Sequence, residues 1–295
     1  MKVYIMGYLK DSEKLTASIA WSSISLFPSS EMTVPSDKEI DRIFRLSREM
    51  KLSSVLDFPF YIFSFKDVSR SFTHQWVRYR IAAHVQQSLR FVKVDTEIEG
   101  GKPWFVIPPS VLKQGAETIV KYVRTQLEMG RMYRELLKKG IPPEDARFIL
   151  PMGVKTHISS VMNAEELLHV IDQRACFDAQ WEIRSAAYAL LAGLYSISPR
   201  IFKHAGPYCM SEKTCRGKSK GSCYKLAEKL TRKMFEKGEE LRDLLKDSDK
   251  DEYVGIDLTG ELGYIVSRDV KEKVARLLGF PLELDYRVEL YVRKL

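Results

Sequence analysis

One stretch of the sequence concentrates side chains that can bind anions and heteroaromatic rings. Residues 73–91 (THQWVRYRIAAHVQQSLRF) contain three arginines, a tryptophan, three glutamines and a serine, but no acidic residue. A guanidinium group offers a planar fork of donors that matches phosphate oxygens and the edge carbonyls of a base. This arginine-rich segment therefore predicts an anion- and nucleobase-binding site. A solvated basic surface is the alternative, but apolar neighbours disfavour it: Trp76, Ile81, Val85 and Phe91.

The four cysteines are a second candidate group. Cys209, Cys215 and Cys223 are separated by five and seven residues, and Cys176 is distant from them. These spacings differ from the close pairs typical of zinc sites. Neighbouring lysines and Arg216 would lower thiol pKa values and favour a ligand or a disulfide. We expect plain thiols or a disulfide rather than a metal or iron–sulfur site, and a region separate from the nucleotide site.

Length and composition describe an ordinary globular protein. The chain has 295 residues, of which 45% are hydrophobic and 29% charged, so it can bury a full core. The net charge of +8 favours anionic partners such as nucleotides, folates or nucleic acid, without choosing among them. No apolar run approaches the roughly 20 residues that span a bilayer. The N-terminus becomes polar too early for a signal peptide, so we expect a cytoplasmic protein with no membrane partner.

Periodicity and capping signals predict the elements that position these residues. Residues 1–10 alternate like a strand, residues 21–35 are irregular, and Ser36 with Glu39 forms a capping box for a helix to Met50. The aromatic run 58–65 predicts a buried strand. Asp67 can cap a short helix that leads into the arginine-rich segment. The later elements predicted are a strand after Phe91, helices over 110–139 and from Pro143, a helix capped by Asn163, a buried helix over 179–197, a charged helix to about Lys246, a linker over 247–252, a helix from Ser267, and a strand over 282–292.

Three ordered blocks of the sequence resemble the flavin-dependent thymidylate synthases. Gln75-Trp76-x-Arg78-x-Arg80, followed by seven residues and Ser88-x-Arg90, is similar to the family signature of Arg-His-Arg, seven residues and Ser. The segment 147–151 (RFILP) resembles the Arg-x-x-Leu-Pro block. The third block combines Asn163–Leu167, Gln173-Arg174 and the segment 179–183 (AQWEI). The resemblance extends from the N-terminus to about residue 235.

The resemblance implies an α+β fold with mixed helices and an antiparallel sheet. It implies a homotetramer that binds FAD and dUMP in clefts shared between chains, and that makes dTMP with methylenetetrahydrofolate as carbon donor and NADPH as reductant. It divides the chain into a flavin- and nucleotide-binding domain over 1–247 and a small C-terminal α/β part over 248–295. The chemistry needs no enzyme nucleophile, so positioning and preorganised charge must supply most of the rate.

Site residues follow from the matching positions. By resemblance, Arg174 would be the catalytic residue: its guanidinium would contact the edge of the uracil ring and favour the activated, anionic form of the ring. The substrate-binding residues would be Gln75, Gln86, Gln87, Ser88, Leu89, Arg90, Arg147 and Arg174. The cofactor-binding residues would be Ser54, Arg78, Tyr79, Arg80, Ile81, Gln86, Asn163, Glu165 and His169.

Structural alternatives exist for three of these residues. Arg174 could pair with Asp172 or Asp178, and Arg147 could interact only with a helix end. Ser88 is disfavoured as a nucleophile because His84 is its only evident base.

Several positions depart from the family pattern. The family usually has a His near the position of Leu52, and His where this chain has Tyr79. It usually has Asn and Glu where this chain has Val85 and Gln86. It usually has Arg and Asn where Glu165 and His169 stand. Two other functions therefore stay open: a divergent paralogue that acts on another pyrimidine nucleotide or one-carbon donor, and a basic nucleic-acid-binding module. The basic residues are dispersed along the sequence, which disfavours the nucleic-acid-binding module and nucleic acid as a partner.

Overall fold

A six-stranded sheet forms the centre of the computed structural model, which describes residues 1–31, 33–50 and 52–295. The strands are β1 (Lys2–Tyr8), β2 (Phe60–Ser69), β3 (Ala82–Gln86), β4 (Lys155–Asn163), β5 (Tyr253–Asp257) and β6 (Glu289–Arg293). The helices are α1 (Ser12–Ser22), α2 (Asp37–Glu49), α3 (Arg70–Trp76), α4 (Pro109–Leu112), α5 (Ala116–Lys138), α6 (Pro143–Ala146), α7 (Ala164–Arg174), α8 (Trp181–Ile197), α9 (Pro199–Phe202), α10 (Tyr208–Ser211), α11 (Tyr224–Asp247), α12 (Thr259–Leu262) and α13 (Arg268–Leu278). Within the described ranges, no helix combines the length and the apolar character needed to cross a bilayer.

The strand order is β3-β4-β2-β1-β6-β5, and neighbouring strands are antiparallel except for the parallel pair β1–β6. The α+β fold with a mostly antiparallel sheet is therefore confirmed. The parallel pair joins the two ends of the chain, and no local sequence pattern predicts such a long-range pairing. Residues 248–295 supply β5 and β6 to the same sheet. Their division from residues 1–247 as a separate domain stays a prediction.

One face of the sheet packs against α8, whose side chains are almost all buried, as predicted for residues 179–197. Tyr61 and Phe63 of β2 lie on this face and are fully buried. Their neighbours Phe60 and Ile62 point to the opposite face and are 53% and 46% exposed. The prediction of a wholly buried strand over 58–65 is therefore wrong for one face, because side chains alternate along a strand. A second apolar cluster lies between α5, α13 and the segment 104–107.

Local signals predicted most element boundaries. The capping box is confirmed, since the Glu39 carboxylate accepts hydrogen bonds from the Ser36 N–H and hydroxyl at 2.7 and 2.6 Å. The Asp67 cap is wrong: β2 continues through a bulge to Ser69, whose hydroxyl accepts from the Phe72 N–H at 3.0 Å. The strand predicted after Phe91 is also wrong, because the segment 92–108 makes only isolated bridges.

Candidate active site

The arginine-rich segment runs from α3 through a turn into the edge strand β3. Two of its side chains converge on one serine of β4. The indole N–H of Trp76, which is fully buried, donates to the Ser160 hydroxyl at 3.0 Å, and His84 Nδ1 lies 2.8 Å from the same oxygen. The other ring nitrogen of His84 lies 3.1 Å from the Tyr79 carbonyl. These contacts fix the turn that contains the arginines.

Tyr79 and Arg174 form the centre of the site. Arg174 Nε donates to the Tyr79 hydroxyl at 2.6 Å, and its guanidinium carbon lies 5.4 Å from the centre of the tyrosine ring. The Tyr79 hydroxyl donates in turn to Gln173 Oε1 at 3.1 Å. Burial raises the pKa of Tyr79 despite the nearby arginine, so the phenol stays neutral.

This contact restrains the plane of the Arg174 guanidinium. Neither Asp172 nor Asp178 forms an ion pair with it in the described part of the chain. The alternative of a structural ion pair is therefore wrong. The two terminal nitrogens donate no hydrogen bond within the described ranges, which leaves one edge of the guanidinium available to a planar ligand.

Arg90 and Arg147 meet at the short helix α6. Arg90 Nε donates to the Glu144 carboxylate at 3.0 Å, and Arg147 Nε donates to the Glu144 backbone carbonyl at 3.0 Å. The helix-end contact considered for Arg147 is thus present. The arginine-rich segment has no acid of its own, but the fold supplies one. Both side chains would have to release or share Glu144 to bind a phosphate.

Sequence reasoning missed Arg70, which lies near this pair. Burial, followed by repulsion from Arg147, lowers the pKa of Arg70. Arg70 is the first residue of α3, where the helix dipole disfavours a positive charge. An arginine at this unfavourable helix position is the sequence signal that could have identified Arg70 as a candidate site residue. Its guanidinium forms no ion pair within the part of the chain described, so it adds uncompensated positive charge to the site.

Two of the three glutamines, Gln86 and Gln87, bond to threonine hydroxyls. Gln86 Nε2 donates to the Thr73 hydroxyl at 2.8 Å, and the Thr156 hydroxyl donates to Gln87 Oε1 at 3.3 Å. Gln75 bonds only to the carbonyl one turn earlier in its own helix, at 3.3 Å.

Two of the predicted nucleotide-site residues, Leu89 and Ser88, lie apart from this network. Leu89 is buried in the cluster around α5, so its side chain faces away from the predicted site. His84 is engaged with Ser160 and Tyr79 and forms no hydrogen bond with Ser88 in the described residues, which leaves Ser88 without a base.

A cavity of about 450 Å³ lies beside α7, where the cofactor-binding residues were predicted. Its lining includes Leu52, Ser53, Glu165, His169 and Asp172. Burial raises the pKa of Glu165, with Asp57 adding repulsion, and burial raises the pKa of Asp172 to about 6. Two partly buried carboxyl groups in one cavity favour a polar ligand that can exchange hydrogen bonds with them.

The remaining predicted cofactor residues divide into two groups. The Asn163 amide caps α7 through the Glu166 N–H at 2.8 Å and donates to Asp57 at 2.8 Å, so its side chain is structural here. Ser54, Arg78, Arg80 and Ile81 are exposed. The guanidinium groups of Arg78 and Arg80 make no hydrogen bond or ion pair within residues 1–31, 33–50 and 52–295, so they remain available to a ligand.

All four cysteines line a second cavity, of about 240 Å³, together with Gln173 and Arg174. The expectation that the cysteine region is separate from the predicted nucleotide site is therefore wrong. Burial, followed by the neighbouring Cys223 and Cys176 thiols, raises the pKa of Cys209. Sequence spacing could not reveal this convergence, because Cys176 precedes α8 and the others follow it.

Comparisons of sequence and fold relate this chain to known proteins. Residues 4–200 match the family model described as thymidylate synthase complementing protein. The flavin-dependent thymidylate synthase of Sulfolobus acidocaldarius is 40% identical over 215 residues, covering 71% of this chain and 78% of that relative. The enzyme of the same name from Geobacter sulfurreducens is 35% identical over 216 residues, covering 72% of this chain and 89% of that relative.

Two solved structures share the fold. The flavin-dependent thymidylate synthase ThyX from Helicobacter pylori, complexed with FAD and dUMP, matches with a TM-score of 0.54 and 21% identity over 70% of this chain and 99% of that chain. The UMP/dUMP methylase PolB from Streptomyces cacaoi, bound with 5-Br dUMP, matches with a TM-score of 0.60 and 16% identity over 68% of this chain and 92% of that chain. At these identities the likeness concerns the fold.

Proposed function

The chain belongs to the flavin-dependent thymidylate synthase family, and we propose that it converts dUMP to dTMP with FAD as cofactor, methylenetetrahydrofolate as carbon donor and NADPH as reductant. The observation that supports this function best is the fixed pair of Tyr79 and Arg174, which leaves the terminal guanidinium nitrogens without a hydrogen bond in the described residues. The proposed setting is the cytoplasm.

Arg174 is the proposed catalytic residue. A planar donor edge can donate to a uracil carbonyl and, once the ring is deprotonated, to the adjacent nitrogen, so it stabilises the negative charge that develops there. Tyr79 occupies the family's histidine position and would hold this edge in place, because its hydroxyl accepts from Arg174 and its ring lies under the guanidinium. Tyr79 thus substitutes for the histidine as a positioning group.

Arg90 and Arg147 are the proposed phosphate anchors, and we add Arg70 to them. Glu144 contacts the first two, and a nucleotide phosphate would displace the Glu144 carboxylate from Arg90. Arg70 has no acid to release and would contribute its charge directly. We propose that Gln75, Gln86, Gln87, Ser88 and the Leu89 backbone complete the nucleotide pocket.

FAD fits the exposed, unpartnered donors at the other side of the site. We propose that Arg78 and Arg80 bind its anionic portion, with Ser54, Tyr79, Ile81, Gln86, Asn163, Glu165 and His169 around it. When bound, FAD transfers reducing equivalents from NADPH to the new methyl group. Glu165 and Asp172 would accept hydrogen bonds from the cofactor or stay protonated, as their raised pKa values favour.

The exposed apolar side chains around the arginine-rich segment support a homotetramer. Val85 of β3 is 76% exposed and Phe91 79%, while Phe60 and Ile62 of β2 are about half exposed on the outward face of the sheet. Monomeric proteins rarely leave such a contiguous apolar surface in water. We propose that another copy of the chain covers it and completes the cofactor site.

Assembly can be tested with one charged substitution on this face. We expect Val85→Asp to shift the mass in sedimentation equilibrium from four times the 34.1 kDa chain to smaller species, and to lower FAD retention, since a charge cannot be buried unpaired. Leu26→Asp, at a site that is 99% exposed, is the matched control and should stay tetrameric. A monomeric wild-type protein that binds FAD would contradict the shared site.

The function itself predicts a yellow protein whose visible absorbance shifts on addition of dUMP. We expect dTMP only when dUMP, methylenetetrahydrofolate and NADPH are all present, and this requirement is checked by chromatography of quenched reactions. Replacing dUMP with UMP distinguishes the divergent paralogue, because methylation of UMP without dTMP formation would favour that function. A colourless protein that binds no flavin at any excess would contradict the proposal.

A further inference from the structure

We propose that Cys176, Cys209, Cys215 and Cys223 ligate an iron–sulfur cluster of the [4Fe–4S] type in the cavity that they line. These are the only cysteines among the 295 residues, and all four border the same space of about 240 Å³. They come from separate segments: the loop after α7, the short helix α10, the following loop, and the start of α11. Packing alone gives no reason for such convergence.

The arrangement fits a cluster better than a single ion or disulfides. All four residues are free thiols in the structure. Among the described residues, no three His, Cys, Asp or Glu side chains are close enough together to hold one metal ion. A zinc site needs sulfurs about 2.3 Å from a common centre. Four thiols that border one open cavity instead supply the number and type of ligands that a [4Fe–4S] core takes.

Charge near the cavity suits an anionic cluster. Four thiolates give the site negative charge, since each thiol loses its proton on ligation. Arg174 and Arg216 line the cavity, and the loop between Cys209 and Cys223 contains Lys213, Lys218 and Lys220. Cys223 is the N-terminal cap position of α11, a helix of 24 residues whose free N–H groups favour negative charge. Asp178 also lines the cavity and Arg216 pairs with Glu212, so Arg174 and the terminus of α11 are the groups left to favour negative charge there.

The loop that supplies Cys215 is fixed against the loop that supplies Cys176. A β-carbon on Gly217 would collide with Asp178 Oδ2 and lie 3.4 Å from Cys176 Sγ, so the two loops approach each other closely here. The Ser219 N–H donates to Asp178 Oδ2 at 3.2 Å, and the Ser219 hydroxyl lies 3.3 Å from Cys223 Sγ. Hydrogen bonds of this kind around the ligands orient metal sites and tune clusters.

The position of the cysteines in the sequence separates this site from the family's shared chemistry. Three of the cysteines follow residue 200, where the match to the family model ends. The site nevertheless adjoins the proposed catalytic residue, because Gln173 and Arg174 line the same cavity. Ligation through Cys176 would fasten the end of α7, which contains Arg174, to α10 and α11.

Metal and sulfide analysis of the full chain tests the proposal. The protein is expressed with iron and cysteine supplied and purified without oxygen. We expect about four iron and four acid-labile sulfide ions per chain, and a paramagnetic cluster signal after dithionite reduction. Flavin absorbs in the same visible region, so the stoichiometry rather than the colour decides. Alanine at any one of the four cysteines should lower the iron and sulfide content at least several-fold, whereas exposed Ser222→Ala, in the same loop, should leave both unchanged.

Thiol counting on the wild-type protein decides the question even if a cysteine variant fails to fold. With a cluster bound, an alkylating reagent should label the cysteines only after oxidation and chelation remove the iron. Four thiols that react at once in iron-free protein, zinc without sulfide, or two disulfides would each overturn the proposal. None of these results depends on dTMP formation, so the cluster and the enzymatic function can fail separately.

Discussion

Replacing Arg174 with alanine should lower the rate of dTMP formation at saturating substrates by about 10²–10³-fold, the effect of losing one donor aimed at charge that develops in the transition state. The structure supports this expectation because the Arg174 guanidinium is held by Tyr79 and keeps one donor edge free. Lysine at this position should restore little activity, since a point charge cannot reproduce a planar fork. The measurement is single-turnover dTMP formation, with flavin content checked for each variant.

The matched comparison is Arg90→Ala. Arg90 is a proposed ground-state anchor, and losing such an anchor raises the substrate requirement while chemistry at saturation survives. Arg131→Ala, on the exposed surface of α5, controls for the loss of a positive charge. Equal saturated rates for wild type and Arg174→Ala would refute the catalytic role of Arg174.

Tyr79→Phe separates positioning from chemistry within the same experiment. The substitution keeps the ring under the guanidinium but removes the hydroxyl that accepts from Arg174 and donates to Gln173. Its effect on the saturated rate should therefore be smaller than that of Arg174→Ala. If Tyr79→Phe matched the alanine variant, the Tyr79 hydroxyl would matter to the reaction as much as the guanidinium that it holds.

Signals that act within one turn of chain predicted the elements well. The Ser36–Glu39 capping box and the Asn163 cap are confirmed, because each bond joins residues three positions apart. The same locality explains the error at Asp67. A bulge within β2 extends the strand, so the N-cap of α3 is Ser69 rather than Asp67. Bulges depend on the partner strand rather than on the sequence around them.

Long-range contacts could not be predicted in the same way. The Arg90–Glu144 pair joins the first block of resemblance to a residue that lies just before the second block. The convergence of Cys176 with the later cysteines depends on how α8 and α11 pack. Both features follow from tertiary structure, so residue type and spacing identified the participants but not their partners.

Replacing Glu182 with alanine should lower the free energy of unfolding by about 3 kcal/mol, the upper end of the cost of leaving a buried donor unpaired, since two donors lose their acceptor. Glu182, in the AQWEI block, is fully buried at the start of α8. Its carboxylate accepts from the Ser69 N–H at 2.8 Å and from the Ser69 hydroxyl at 2.5 Å. The measurement is equilibrium denaturation in urea, with Glu236→Ala as the control because its ion pair with Lys233 is exposed.

The pH dependence of the same variant series tests whether burial controls this carboxyl group. Burial raises the pKa of Glu182 above its ordinary value, although the Ser69 hydrogen bonds oppose the increase. A raised pKa in the folded state means that the group contributes most to stability below the unfolded pKa, and that this contribution is lost as pH rises through the folded pKa. The destabilisation caused by Glu182→Gln should therefore be largest near pH 4 and shrink towards pH 8. A cost that grows with pH would mean that the Ser69 hydrogen bonds outweigh burial and hold Glu182 ionised. Since the Ser69 hydroxyl also caps α3, the result would show whether the arginine-rich segment is anchored through a neutral or a charged acceptor.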